Sequence, residues 1–203
     1  MKLLLSGGGV PEKTKNIDKK FLELCGDKPI LYIPIAKKTR PFEDCYNWIA
    51  DIFERMGSKS EIVMWTDLKE KSLGQIKKFG GICIGGGNTF TLLSEIKDSG
   101  FDKILKGALS EDIVIYGISA GAVIFGKDIS IALEAGDQNL DGLEDLSSLD
   151  VLGGKNVWPH YSKRCENKLR ILTEEGKEII ALEEGEGLLV EGDKEVRISP
   201  NIG

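Results

Sequence analysis

The sequence predicts an α/β fold, a mostly parallel sheet with helices on both faces, and three observations carry that expectation. Short apolar runs rich in branched residues alternate with segments whose apolar side chains recur every three or four positions. The runs are nearly continuous in hydrophobicity, as strands buried on both faces are. Several end in glycine-rich loops, and in such a fold the loops beyond the strands' carboxyl ends hold the ligand.

Taken in order, Lys2 to Ser6 reads as a strand ending at Gly7-Gly8-Gly9. The polar stretch after Pro11 gives way to a helical pattern carrying Ile17, Phe21, Leu22 and Leu24. Pro29 to Ile35 reads as a second strand. From Pro41 to Met56, Cys45, Ile49, Ile52, Phe53 and Met56 share one helical face, and Gly57 is a plausible stop. Glu61 to Trp65 and Gly81 to Ile84 read as the third and fourth strands. Asn88 and Thr89 offer caps for a helix through Leu92, Leu93 and Ile96, because their side-chain oxygens can accept from first-turn N–H groups. A helix over Asp102 to Leu109 precedes a fifth strand starting at Ile113.

The remainder is less regular. Residues 127–154 are rich in Asp, Gly and Ser and read as surface loops or short strands framing a pocket. In Val157-Trp158-Pro159-His160-Tyr161, proline and aromatics indicate a rigid loop. Lys163 to Glu175 is expected to be helical. Glu178–Glu184, Leu188–Val190 and Glu195–Ile198 read as strands joined at Gly185 to Gly187 and at Gly192-Asp193.

Composition narrows the function classes. A chain of 203 residues, 41% of them hydrophobic, suffices for one substantial core, so residues 1–203 are expected to form a single domain. The net charge of −6 argues against nucleic acid or an anionic membrane as the main partner, since both reward basic surfaces. No apolar run approaches the roughly 20 residues that span a bilayer, and the apolar start Met1 to Ser6 is too short for a signal peptide. A cytoplasmic protein is the expectation. Cys25, Cys45, Cys83 and Cys165 are widely spaced and read as reduced thiols. With a single histidine in the chain, no metal or other cofactor is expected.

The chemistry gathers at Gly117-Ile118-Ser119-Ala120-Gly121. An apolar strand running into Gly-x-Ser-x-Gly is the pattern of a nucleophile elbow, in which the strand turns sharply into a helix and presents the serine hydroxyl. The backbone N–H of the next residue, Ala120, can then face a developing oxyanion. The glycine loops Gly7 to Gly9 and Gly85 to Gly87 match neither a Walker loop nor a dinucleotide fingerprint. The second can instead bring another backbone N–H beside Ser119. Serine needs a base, and His160 is the histidine available. A carboxylate must orient the ring; Glu184, at a strand end before Gly185, is the first candidate, followed by Asp137 and Asp128.

In order and approximate spacing, Ile84-Gly-Gly-Gly-Asn-Thr-Phe-Thr-Leu-Leu93, Gly117 to Ala122, Pro159-His160 and Leu182-Glu-Glu-Gly185 resemble the aspartyl dipeptidase (dipeptidase E) and cyanophycinase family of serine peptidases. The resemblance covers about half the chain. It implies a class I glutamine-amidotransferase-like, flavodoxin-like three-layer architecture, with Ser119 as nucleophile and His160 as base. It maps the third member onto Glu184, with Asp137 as fallback, and the oxyanion donors onto the backbone of Gly86 or Gly87 and of Ala120. The elbow residue of related glutamine amidotransferases is cysteine; serine here argues against glutamine hydrolysis. The implied substrate is a small peptide, preferentially a dipeptide with N-terminal aspartate. A local cation must then meet the aspartate carboxylate, and Lys37, Lys38, Arg40, Lys163 and Arg164 flank the expected active edge. A monomer or small homo-oligomer is expected. The competing expectation is a non-catalytic small-molecule or protein-binding domain of the same fold.

Overall fold

The computed structural model describes residues 1–37, 39–111 and 113–201. Its main sheet has seven strands in the order β3-β2-β4-β5-β1-β8-β9. These are β1 (Lys2–Ser6), β2 (Ile30–Ile33), β3 (Ile62–Met64), β4 (Gly81–Ile84), β5 (Val114–Ile118), β8 (Gly187–Glu191) and β9 (Lys194–Ile198). The first five run parallel, whereas β8 joins β1 and β9 joins β8 antiparallel.

Alternation along the central strands explains why both faces are covered. Leu3, Leu5, Ile82, Ile84 and Ile115 pack into one core, while Leu4, Cys83, Val114 and Tyr116 pack into the other. Full burial of each large apolar side chain is worth about 1.5–3 kcal/mol, so a polar substitution on either face is costly. Helices α1 (Pro11–Cys25) and α2 (Phe42–Arg55) cover the second face through Ile17, Phe21, Ile49 and Phe53. Helices α4 (Thr89–Asp98) and α5 (Phe101–Ala108) cover the first through Leu92, Leu93, Ile96 and Leu105. Asn88 caps α4 by accepting from the Thr91 N–H at 2.9 Å.

Among the described residues, the second core contains one buried acid, Asp18. Its carboxylate accepts from Thr14 Oγ1 at 2.6 Å and from Tyr116 Oη at 2.7 Å. Desolvation pushes its pKa up, partly offset by those two hydrogen bonds. Cys25, Cys45, Cys83 and Cys165 are free thiols, the first three buried.

The structure adds one element and corrects two expectations. A one-turn helix α3 (Leu73–Ile76) lies between β3 and β4, held by a capping box between Ser72 and Gln75. In the stretch read as loops or short strands, α7 (Ile131–Glu134) is another one-turn helix. The segment read as a rigid loop is a strand, β6 (Asn156–Tyr161), paired in parallel with β7 (Ile179–Glu183) as a separate two-stranded sheet. Thus β7 and β8, although adjacent in sequence, belong to different sheets. The helix expected over 163–175 begins with a 3₁₀ turn at Lys163–Cys165 and continues as α8 (Glu166–Glu174). Among the described residues, no helix is long and apolar enough to cross a membrane.

Candidate active site

Strands β4, β5 and β1 are neighbours, so the loops at their carboxyl ends, Gly85 to Gly87, Ser119 and Gly7 to Gly9, converge on one edge. Ser119 joins β5 to α6 (Ala120–Val123) with φ 54° and ψ −112°. A non-glycine residue at positive φ is costly and persists where surrounding structure enforces it. Close packing does so here: a β-carbon on Gly117 would lie 2.3 Å from the Gly121 carbonyl oxygen, so the turn closes only around glycine. The Ser119 N–H is engaged with the Ser6 carbonyl at 3.1 Å.

The smaller sheet delivers the other side chains. Between Trp158 and Tyr161 the pairing of β6 with β7 shifts register, and His160 within this irregularity has φ 52°. Its N–H donates to the Gly7 carbonyl at 2.9 Å, which fastens β6 to the end of β1. Buried Trp158 packs edge-on against Tyr161 at 6.0 Å between ring centroids. The imidazole then lies with Nε2 2.9 Å from Ser119 Oγ. Gly8, at φ 77°, makes the approach possible, since a β-carbon there would come within 2.6 Å of His160 Cε1.

Glu184 follows β7 directly. Its Oε1 is 3.4 Å from His160 Nδ1, and its Oε2 accepts from Lys13 Nζ of α1 at 3.0 Å. The hydrogen bond from Lys13, more than that from His160, holds the Glu184 carboxyl below the usual range against desolvation. Nothing in the local sequence flags Lys13, because its partner lies 171 residues away. The neighbouring Glu183 pairs in register with Tyr161, and its N–H donates to Glu186 Oε2 at 3.0 Å.

Ser119 and His160 open onto a cleft of about 330 Å³, also lined by Gly86, Gly87, Ala120 and Asp137. Gly86 lies against the serine: a β-carbon there would be 3.2 Å from Ser119 Cβ and 3.7 Å from Ser119 Oγ. Ala120 begins α6, whereas Gly87 packs on Ala36. Asp137 Oδ2 accepts from the Thr89 N–H at 2.8 Å and from Thr89 Oγ1 at 2.6 Å, at the start of α4. Asp128 accepts from Ser130 and from the Asn156 side chain. Of the candidate cations, Lys37 lines the cleft, its ammonium 5.9 Å from the centre of the Trp48 ring. Arg40 lines an adjoining hollow with Lys37, and Lys163 lines a hollow on the other side of His160. Arg164 lies in the 3₁₀ turn, and Lys38 is outside the described residues.

The profile of peptidase family S51 matches residues 2–198. The uncharacterized peptidase Lmo0363 of Listeria monocytogenes is 29% identical over 182 residues, 83% of this chain and 84% of its own. The pyridoxal 5′-phosphate synthase subunit PdxT of Methanobrevibacter smithii is 26% identical over 163 residues, covering 71% of this chain and 79% of its own. A crystal structure of a peptidase E protein from Listeria monocytogenes superposes with TM-score 0.75 at 24% identity, over 98% of both chains. The fold is therefore that of the class I glutamine amidotransferases.

Proposed function

The chain belongs to peptidase family S51 and is a serine-type peptidase; from that premise we propose that residues 1–203 act as one hydrolytic unit cleaving small peptides, with Ser119, His160 and Glu184 as its catalytic triad. The observation that carries the assignment is the 2.9 Å approach of Ser119 Oγ to His160 Nε2. Free thiols are compatible with action in the cytoplasm.

In the first step the Oγ–H donates its proton to His160 Nε2 as Oγ attacks the scissile carbonyl carbon. Negative charge moves to the carbonyl oxygen, where backbone N–H groups of Ala120 and of Gly86 or Gly87 are the proposed donors. The imidazolium is held through Nδ1–H by Glu184. His160 then gives its proton to the departing amine nitrogen, the carbon–nitrogen bond breaks, and an ester to Ser119 remains. Water repeats the sequence: its proton goes to Nε2, its oxygen bonds to the carbonyl carbon, and the proton returns to Ser119 Oγ as the acid leaves.

The finer part of the proposal is specificity for dipeptides with N-terminal aspartate. It draws on the resemblance to dipeptidase E and on the cation at the cleft wall. A carboxylate leaving water needs a compensating partner, and Lys37 lines the same cleft as Ser119. Comparing kcat/KM for Asp-Leu and Asn-Leu tests it. Discrimination of at least about tenfold, roughly 1.4 kcal/mol, is expected, and Lys37→Met should abolish it. Equal rates in the unmodified enzyme would remove the acidic-substrate assignment while leaving the serine peptidase intact.

A further inference from the structure

We propose that Asp137 anchors the α-ammonium group of the substrate's first residue and thereby restricts the enzyme to peptides with a free amino terminus. The inference rests on the serine peptidase reading and adds a specificity-determining residue to it. Asp137 lines the Ser119 cleft, whereas Glu184 reaches His160 from the Lys13 side. A dipeptide must place its ammonium within one residue of the scissile carbonyl, so its partner has to stand at the wall of that cleft. Aspartate at the first position presents an ammonium and a carboxylate together. The cleft offers Asp137 and Lys37, one counter-charge for each.

The geometry around Asp137 is that of a fixed receptor. Both bonds from Thr89 end on Oδ2, and Oδ1 takes no part in either. The flanking loop is tied to the start of α4 at two further points. Asn88 Nδ2 donates to the Gln138 carbonyl at 2.8 Å, and Thr91 Oγ1 donates to Asp141 Oδ2. The Asp137 N–H donates to the Ala132 carbonyl at 2.9 Å. A carboxylate held in this way loses little side-chain freedom when it takes up a ligand cation.

The competing explanation is that Asp137 only ties its loop to α4. Asp137→Asn separates the two, because the amide oxygen can still accept from Thr89 while the charge is gone. The readout is the ratio of kcat/KM for Asp-Leu to that for its desamino analogue, succinyl-leucine. We expect at least about a tenfold preference for the free amine in the unmodified protein, and its collapse in Asp137→Asn through a rise in KM for Asp-Leu. A parallel fall for both substrates, with the ratio preserved, would overturn the proposal. So would a preference below about twofold in the unmodified protein, a measurement that needs no variant to fold. Failure of the unmodified protein to react with a fluorophosphonate would overturn the serine peptidase assignment itself; labelling without amine preference would remove only the role of Asp137.

Discussion

Ser119 Oγ and His160 Nε2 lie 2.9 Å apart, and the two residues share a backbone feature: φ is 54° at Ser119 and 52° at His160. Glu70 and Asp150 are the other non-glycine residues at positive φ among the described residues, so half of that unfavourable set meets in one hydrogen bond. Such a pair is expected to act as a unit. Ser119→Ala and His160→Ala should each lower kcat by a large factor, on the order of a million-fold by comparison with other serine peptidases. The double variant should be little worse than either single one. Circular dichroism should show all three folded, and multiplicative losses would assign the residues separate roles.

Glu184 is the next test. Glu184→Gln should reduce kcat more than Glu183→Gln, because only Glu184 reaches His160 Nδ1. Its carboxyl is held below the ordinary glutamate range chiefly by Lys13. A depressed pKa means the interaction contributes fully above the ordinary glutamate value and is lost as pH falls through the folded value. Lys13→Met should therefore move the Glu184 titration upward, as read from its side-chain carboxyl carbon by NMR. An unchanged midpoint would show that Lys13 does not set the charge of the proposed orienting group.

The candidate site is legible in proportion to how local the causes of its geometry are. Gly117-x-Ser119-x-Gly121 fixes its own turn through contacts four residues apart, so the elbow could be read directly. His160 was identifiable as the chain's one histidine, but its element was misread. Pro159 and the flanking aromatics look like a loop, and the strand exists because of pairing with β7, some twenty residues later. Glu184 was reachable from its place at a strand end, whereas Gly8 against His160 and Lys13 against Glu184 depend on contacts between distant segments. One-turn helices such as α3 and α7 are too short to show a periodic pattern.

The buried Asp18 predicts a stability effect away from the cleft. Desolvation raises its folded pKa above the unfolded value of about 3.9, so the folded state keeps a proton that the unfolded chain releases. Its contribution to stability is complete below the unfolded pKa and declines as pH rises toward the folded value. Asp18→Asn removes that decline. The difference in Tm between the variant and the unmodified protein should thus favour the variant more at about pH 7 than at about pH 4. A difference independent of pH would mean that Asp18 titrates alike in both states.

The central claim is that Ser119 is an activated nucleophile, and intact-protein mass spectrometry after incubation with a fluorophosphonate tests it most directly, because only an activated serine reacts well. The account predicts one covalent adduct, mapped by peptide digestion to Ser119, formed far more slowly in His160→Ala. No adduct under conditions that label a reference serine peptidase, or an adduct on a different residue, would contradict it.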